Sequence, residues 1–272
     1  MSLSKRIVFV YKNSSVKPLD KISTRVYHLL TMNITDRQKL ILLAIIHEFM
    51  NDSNEVGSGT LVEKYDMDVS SATIRSEMVR LMEQGFLEKS HISSGRLPTD
   101  QAIRLYVREN LGSKDFSAVQ EALVRQGIFK LRFSQEELIK EILHELVSEC
   151  DCASFVFLDD MSRYYGVSSL MKFDELRNIE VLQRVLDLLE DQNMLRQVFS
   201  KYGGDEVSLL IGEESGIADL QNCTMAFTRV NMQHNKPGHV GVIGSRRLNY
   251  GKVIPMLNTI RESIASSLKG WK

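Results

Sequence analysis

Three helix signals followed by a polar hairpin, all within residues 33–108, constrain this 272-residue chain more than any other feature. The first helix opens at Thr35, whose side chain can cap it, and Gln38 three residues on completes a capping box. Leu40, Leu43, Ala44, Ile46 and Met50 then recur at helical spacing until Asn51-Asp52-Ser53-Asn54. A second helix is expected over 60–65, burying Leu61 and Tyr65, with Asp66-Met67-Asp68 as the turn. Ser70 or Ser71 caps a third helix over 72–84, and Gly85 sits where a helix C-terminus favours glycine. Residues 86–89 read as a short strand, 91–96 as a polar hairpin tip and Leu97-Pro98 as the returning edge. Thr99 caps a fourth helix through Leu105 and Tyr106. This order is that of a winged helix-turn-helix, which lays its third helix in the major groove of DNA.

Within the third helix Ile74, Met78, Leu81 and Met82 share one face, while Ser71, Thr73, Arg75, Ser76 and Arg80 lie opposite. Hydroxyls approach phosphates or base edges, and an arginine can bind guanine bidentately. Any amphipathic surface helix shows such a pattern; the hairpin beyond it turns the reading towards DNA. The candidate interface therefore also takes in Ser70 at the cap and Ser93, Ser94, Gly95 and Arg96 of the wing, where an arginine meets phosphate or the minor groove. Ser58 and Thr60 complete it, because a helix N-terminus offers backbone N–H groups to a phosphate. His91 reads as a solvated wing residue.

Charge complicates this reading. Residues 32–110 carry nine Lys and Arg against twelve Asp and Glu, a net of -3, so one copy should bind DNA weakly. A dimer on a two-fold symmetric operator would supply the missing affinity. Residues 1–31 hold six positive charges and the single Asp20, a net of +5; they read as a phosphate-tracking arm or as an extension upstream of Met32.

Beyond the hairpin, residues 116–149 read as helical, broken near Gly127, with a second start at Phe133-Ser134-Gln135-Glu136-Glu137. Strands are expected at 153–158, 165–170, 207–211, 223–230 and 239–244, with helices over 179–202 and 250–268. The fold class is thus α+β: a winged helix-turn-helix (32–110) behind the basic extension (1–31), then a helical connector (111–150) and an α+β domain (151–272). Hydrophobic residues make up 43% and charged residues 25%, as in soluble domains. No run reaches the ~18 apolar residues of a membrane helix, and the apolar stretch 7–10 is too short for a signal peptide, so a cytoplasmic location without membrane contact is expected. Cys150, Cys152 and Cys223 read as buried thiols. Catalysis is not expected. Asp159-Asp160 and Glu213-Glu214 are adjacent pairs that point apart, His234 and His239 lack metal-ligand company, and no phosphate loop or cofactor motif is present.

Several ordered motifs carry a family likeness. Ile34-Thr-Asp-Arg-Gln, Val56-Gly-Ser-Gly-Thr-Leu, Val69-Ser-Ser-Ala-Thr-Ile-Arg75 and Ser93-Ser-Gly-Arg-Leu-Pro-Thr-Asp100 resemble the heat-inducible transcription repressor HrcA family. So do Ile211-Gly-Glu-Glu214, Cys223-Thr, Gly241-Val-Ile-Gly244 and Arg247-x-x-Tyr250. The resemblance covers nearly everything from Met32 onward. It implies a repressor of chaperone genes that binds an inverted-repeat operator on double-stranded DNA as a homodimer. It also implies a GAF-like C-terminal half and a chaperonin that maintains the active fold, with no cofactor. Three departures stand out: residues 1–31 lack a counterpart, Gly59 replaces a usual arginine, and the dimerisation module usually inserted in the GAF-like half is missing, only Asp159 to Tyr164 separating the two expected strands. Helix 136–148 or 179–199 could dimerise the chain instead. The alternatives are a ligand-sensing winged-helix regulator, with a pocket around Phe155, Phe157, Met225 and Phe227, and an interaction module that has lost DNA binding.

Overall fold

Helix α1 (Asp36–Asn51) buries Ile41, Leu42, Ile45, Ile46 and Phe49 along one stripe, the 3.6-residue period turned into a core face. It leads to α2 (Ser58–Lys64) and α3 (Ser71–Glu83), followed by the short antiparallel pair β1 (Leu87–Glu88) and β2 (Leu97–Pro98) and by α4 (Asp100–Asn110). The computed structural model describes residues 34–268 apart from 53, 66, 68, 90–94, 111–115, 160, 205 and 233–235. By packing, the chain divides into a unit of residues 1–36 and a unit of residues 37–272.

Two helices, α5 (Ala118–Leu131) and α6 (Gln135–Cys150), form a hairpin whose break falls at 132–134, not at Gly127. Gly127 stays inside α5 because a lone glycine weakens a helix without ending it, whereas Ser134 caps the next one by accepting the Glu137 N–H at 3.4 Å. The sheet follows: β3 (Ala153–Leu158), β4 (Met161–Tyr165), β5 (Ser208–Ile211), β6 (Cys223–Met232) and β7 (Lys236–Ser245), all antiparallel in the order β4-β3-β7-β6-β5. The strand expected at 165–170 is instead β4, paired from Leu158↔Met161 to Ser154↔Tyr165. Asp159 takes a φ of 52° in the tight turn, and Gly166 at φ 76° ends the strand and starts a 3-10 segment (Val167–Lys172). The helix expected over 179–202 is two, α7 (Ile179–Glu190) and α8 (Gln192–Tyr202), divided at Asp191, whose carboxylate accepts the Asn193 and Met194 N–H groups. The chain closes with α9 (Tyr250–Leu268).

Alternation along the strands builds two cores. Val156, Ala226, Val230, Val240 and Val242 face α5, α6 and α9, and Phe49, Ile103 and Val107 of α1 and α4 join the same apolar cluster. Phe155, Phe157, Met225, Phe227 and Ile243 face α7 and α8. Helices therefore sandwich the sheet, a mixed helix-and-sheet fold as expected. Cys150, Cys152 and Cys223 are buried free thiols, and burial pushes the Cys150 thiol up to about 12. None of the described helices is long and apolar enough to cross a membrane.

Candidate nucleic-acid interface

The third helix divides by burial as its sequence requires. Ile74, Met78 and Leu81 enter the core, while Arg75, Ser76 and Arg80 are exposed and Ser71 and Thr73 half-buried. Ser70 is the N-cap: its hydroxyl accepts the Thr73 N–H at 3.2 Å and lies 3.1 Å from the Thr73 hydroxyl. Ser76 donates back to the Ala72 carbonyl at 3.2 Å. Helix α2 starts at Ser58 rather than Thr60, and the Ser58 and Ser71 hydroxyls meet at 2.9 Å, with Ser58 buried. This contact ties the beginnings of α2 and α3 together; Gly59 and half-buried Thr60 remain at the α2 terminus.

Two polar residues that periodicity alone did not single out sit under α3. Glu77 is buried and accepts the Gln38 amide at 2.9 Å and the Arg80 guanidinium at 3.3 Å. Gln38, read as a capping-box partner, thus reaches across 39 residues to orient α3 on α1. Arg80 is held by Glu77 and, like Arg75, is exposed. Glu48 performs the equivalent task between α1 and α2, binding Lys64 at 2.5 Å and the Tyr65 hydroxyl at 2.9 Å. Tyr65 is consequently half-buried rather than buried.

The wing gains an isolated β-bridge. Val56 and Arg96 exchange backbone hydrogen bonds of 3.0 and 2.9 Å. A side chain at Gly95 would stand 2.8 Å from the backbone of Glu55 and Val56, so only glycine admits this approach. Arg96 is half-buried and donates to the Gly95 carbonyl at 3.0 Å. Ser93 and Ser94, with His91, lie outside the described residues.

The back of the module is clasped to the C-terminal half. Arg246 makes an ion pair with Asp100 at 2.9 Å, donates to the Pro98 carbonyl at 2.8 Å and approaches Glu88 at 3.8 Å. Arg104 forks onto Glu214 and donates to the Leu209 carbonyl at 2.6 Å. Gly212, at φ 55°, brings the Glu213 N–H to Asp100 at 3.0 Å, and any side chain there would strike Asp100. Burial raises the Asp100 carboxyl above its ordinary value, against the pull of Arg246. Of the acids behind the net of -3, Glu88 and Asp100 are answered by an arginine from outside the segment, whereas Glu48 and Glu77 are paired within it and leave that net unchanged.

Phe155, Phe157, Met225 and Phe227 are all buried in the core cluster that faces α7 and α8. The Phe199 ring lies among them, with centroids 5.1 Å from Phe227, 5.4 Å from Phe157 and 6.1 Å from Phe155. It also stacks on His239 at 4.0 Å.

Residues 69–254 match the family described as HrcA protein C terminal domain. A heat-inducible transcription repressor HrcA of Pelotomaculum thermopropionicum is 24% identical, covering 88% of this chain and 98% of its own length. The one from Leptospira biflexa is 25% identical over 83% of this chain and 95% of its own. The first alignment spans 340 positions, whereas 88% of 272 residues is about 239, so roughly a hundred residues of that relative face gaps here. A crystal structure described only as that of a hypothetical protein shares the fold at a TM-score of 0.67 and 16% identity, covering 86% of this chain and 98% of the other.

Proposed function

Because this chain belongs to the HrcA family of transcription repressors, we propose that it represses chaperone genes by binding an inverted-repeat operator as a homodimer, one winged helix per half-site. The observation that carries the reading is α3: a capped helix whose apolar face is buried and whose outer face presents Thr73, Arg75, Ser76 and Arg80. In this reading α3 enters the major groove with Arg75 on a base edge, Ser70, Ser71 and Thr60 line the phosphate side over the buried Ser58, and the wing from Ser93 to Arg96 follows the adjacent backbone. Catalysis and cofactors have no part in it. The active, folded fraction depends on a chaperonin, so that heat, by occupying chaperonin with unfolded clients, releases the operator.

The test is a gel-shift series on an inverted-repeat chaperone operator and a scrambled duplex across salt. Wild type should prefer the operator, and Arg75→Ala should lose about 1–3 kcal/mol of that preference. Added chaperonin should raise the binding-competent fraction. Equal affinity for both duplexes ends the repressor reading; an unchanged fraction with chaperonin ends the dependence on it.

A further inference from the structure

Two arginines from different helices converge on one carboxylate at the junction of α1 and α3. The Glu77 side chain is only 9% exposed, and a single one of its oxygens lies 3.3 Å from Nη1 of Arg80 on α3 and 4.0 Å from Nη1 of Arg37 in the first turn of α1. Its other oxygen accepts the buried Gln38 amide at 2.9 Å, which holds the carboxylate in place. The arginines themselves lie at the surface, Arg37 56% and Arg80 63% exposed. Two positive charges on one negative leave a local charge of +1, in a segment whose net is -3.

The spacing and placement of the pair identify its ligand. Nitrogens at 3.3 and 4.0 Å from one oxygen stand no more than about 7 Å apart, a gap that one phosphate closes by accepting a charged N–H at about 2.8 Å on each of two oxygens. A guanidinium has five N–H groups, so contact with Glu77 through Nη1 does not exhaust either arginine. Around α3, Arg75 and Arg80 are about 140° apart, with the exposed Val79 and Ser76 between them. A helix seated in the major groove has a phosphate backbone along each flank. In the operator reading, the arc of Val79 and Ser76 then faces the bases, Arg75 bounds it on one side, and Arg80 with Arg37 bounds it on the side of α1. We infer that Arg37 and Arg80 together clamp one backbone phosphate of double-stranded DNA, with Glu77 setting the gap between them. The inference rests on the operator reading for its ligand and adds to it a residue of α1, outside the helix-turn-helix face. A phosphate carries no base identity, so the clamp fixes how α3 is seated and leaves sequence choice to the groove face.

The experiment measures the affinity of the full chain for the inverted-repeat duplex and for the scrambled duplex across salt. Arg37→Ala should weaken both alike, by roughly five- to tenfold, and flatten the slope of log affinity against log salt by about one. Because Arg37 is exposed, the circular dichroism and melting of that variant should match wild type. Lys39→Ala removes the same charge two residues along α1, where the lysine faces Glu109 at 3.7 Å, and should change either affinity by less than about twofold. Glu77→Gln raises the local charge from +1 to +2 and should tighten binding to both duplexes. An Arg37→Ala loss confined to the operator, an equal loss in Lys39→Ala, or weaker binding by a folded Glu77→Gln overturns the clamp. The comparison of Arg37→Ala with Lys39→Ala decides by itself should the buried Glu77→Gln lose its fold. Wild type that favours neither duplex, with these shifts on both, leaves the clamp standing and removes the repressor reading. Operator preference with affinity and slope unmoved by Arg37→Ala does the reverse, and no binding to either duplex removes both.

Discussion

His239 shows how one side chain couples packing to pH. It lies against Phe199, and burial together with the nearby Arg229 charge lowers its pKa from 6.5 to about 4. The unfolded chain therefore binds this proton at a higher pH than the folded one does, and stability is lost as pH falls from about 6.5 towards about 4, then levels. Allowing for partial solvent screening, the loss should reach roughly 2 kcal/mol. Urea midpoints at pH 7 and pH 4.5 check it. His239→Phe keeps a ring on Phe199 and removes the titration, so its stability should fall less over that interval; equal losses in both proteins would refute the assignment. The proposed base reader Arg75 is a contrast. It is exposed, so Arg75→Ala should change folding stability by no more than about 0.5 kcal/mol while altering operator preference. Some of the site's residues were beyond the reach of pattern. Period-3.6 reasoning assigns acidic and amide side chains to the water, so the buried Gln38–Glu77 pair, which sets α3 on α1, left no trace in the sequence.

Elements were legible where their signals are local. The caps at Ser70, Thr99 and Ser134, the order of the winged helix and the span of α9 all follow from residues within a turn of one another. Errors arose where a single residue redirects the backbone. Asp191 interrupts a continuous amphipathic pattern by turning its carboxylate onto the next two N–H groups, and Asp159 closes β3 onto β4 in so tight a turn that the strand falls earlier than alternation suggested. The opposite error occurred at Gly127, which interrupts nothing. A methyl there would sit 3.4 Å from the movable end of Glu141. Gly127→Ala should therefore stabilise the protein by about 0.5–1 kcal/mol, through the restricted unfolded chain and the better helix propensity. A thermal melt reads this directly, and a lower melting temperature would mean that α5 and α6 cannot yield the space.

At the scale of the whole molecule, the clasp decides how the winged helix and the sheet domain behave together. Arg246 is 13% exposed and Asp100 21%. Arg246→Ala leaves a half-buried carboxylate with only the Glu213 N–H and should cost about 2 kcal/mol in urea denaturation, part of which Asp100→Asn should restore in the double variant. A neutral single variant would show that this ion pair adds nothing to what holds the two halves together. The apolar contacts between them are continuous: Phe49, Ile103 and Val107 share a cluster with the sheet and α9. That continuity has a thermal consequence. A unit of residues 37–272 melting as one has an unfolding enthalpy of roughly 160 kcal/mol and passes from folded to unfolded within about 5 °C, whereas a winged helix of about 75 residues melting alone would spread over about 15 °C. Were the winged helix to read DNA as proposed above, sewing it into the larger core would make its loss abrupt, within a few degrees of warming, where an isolated reader would only fade.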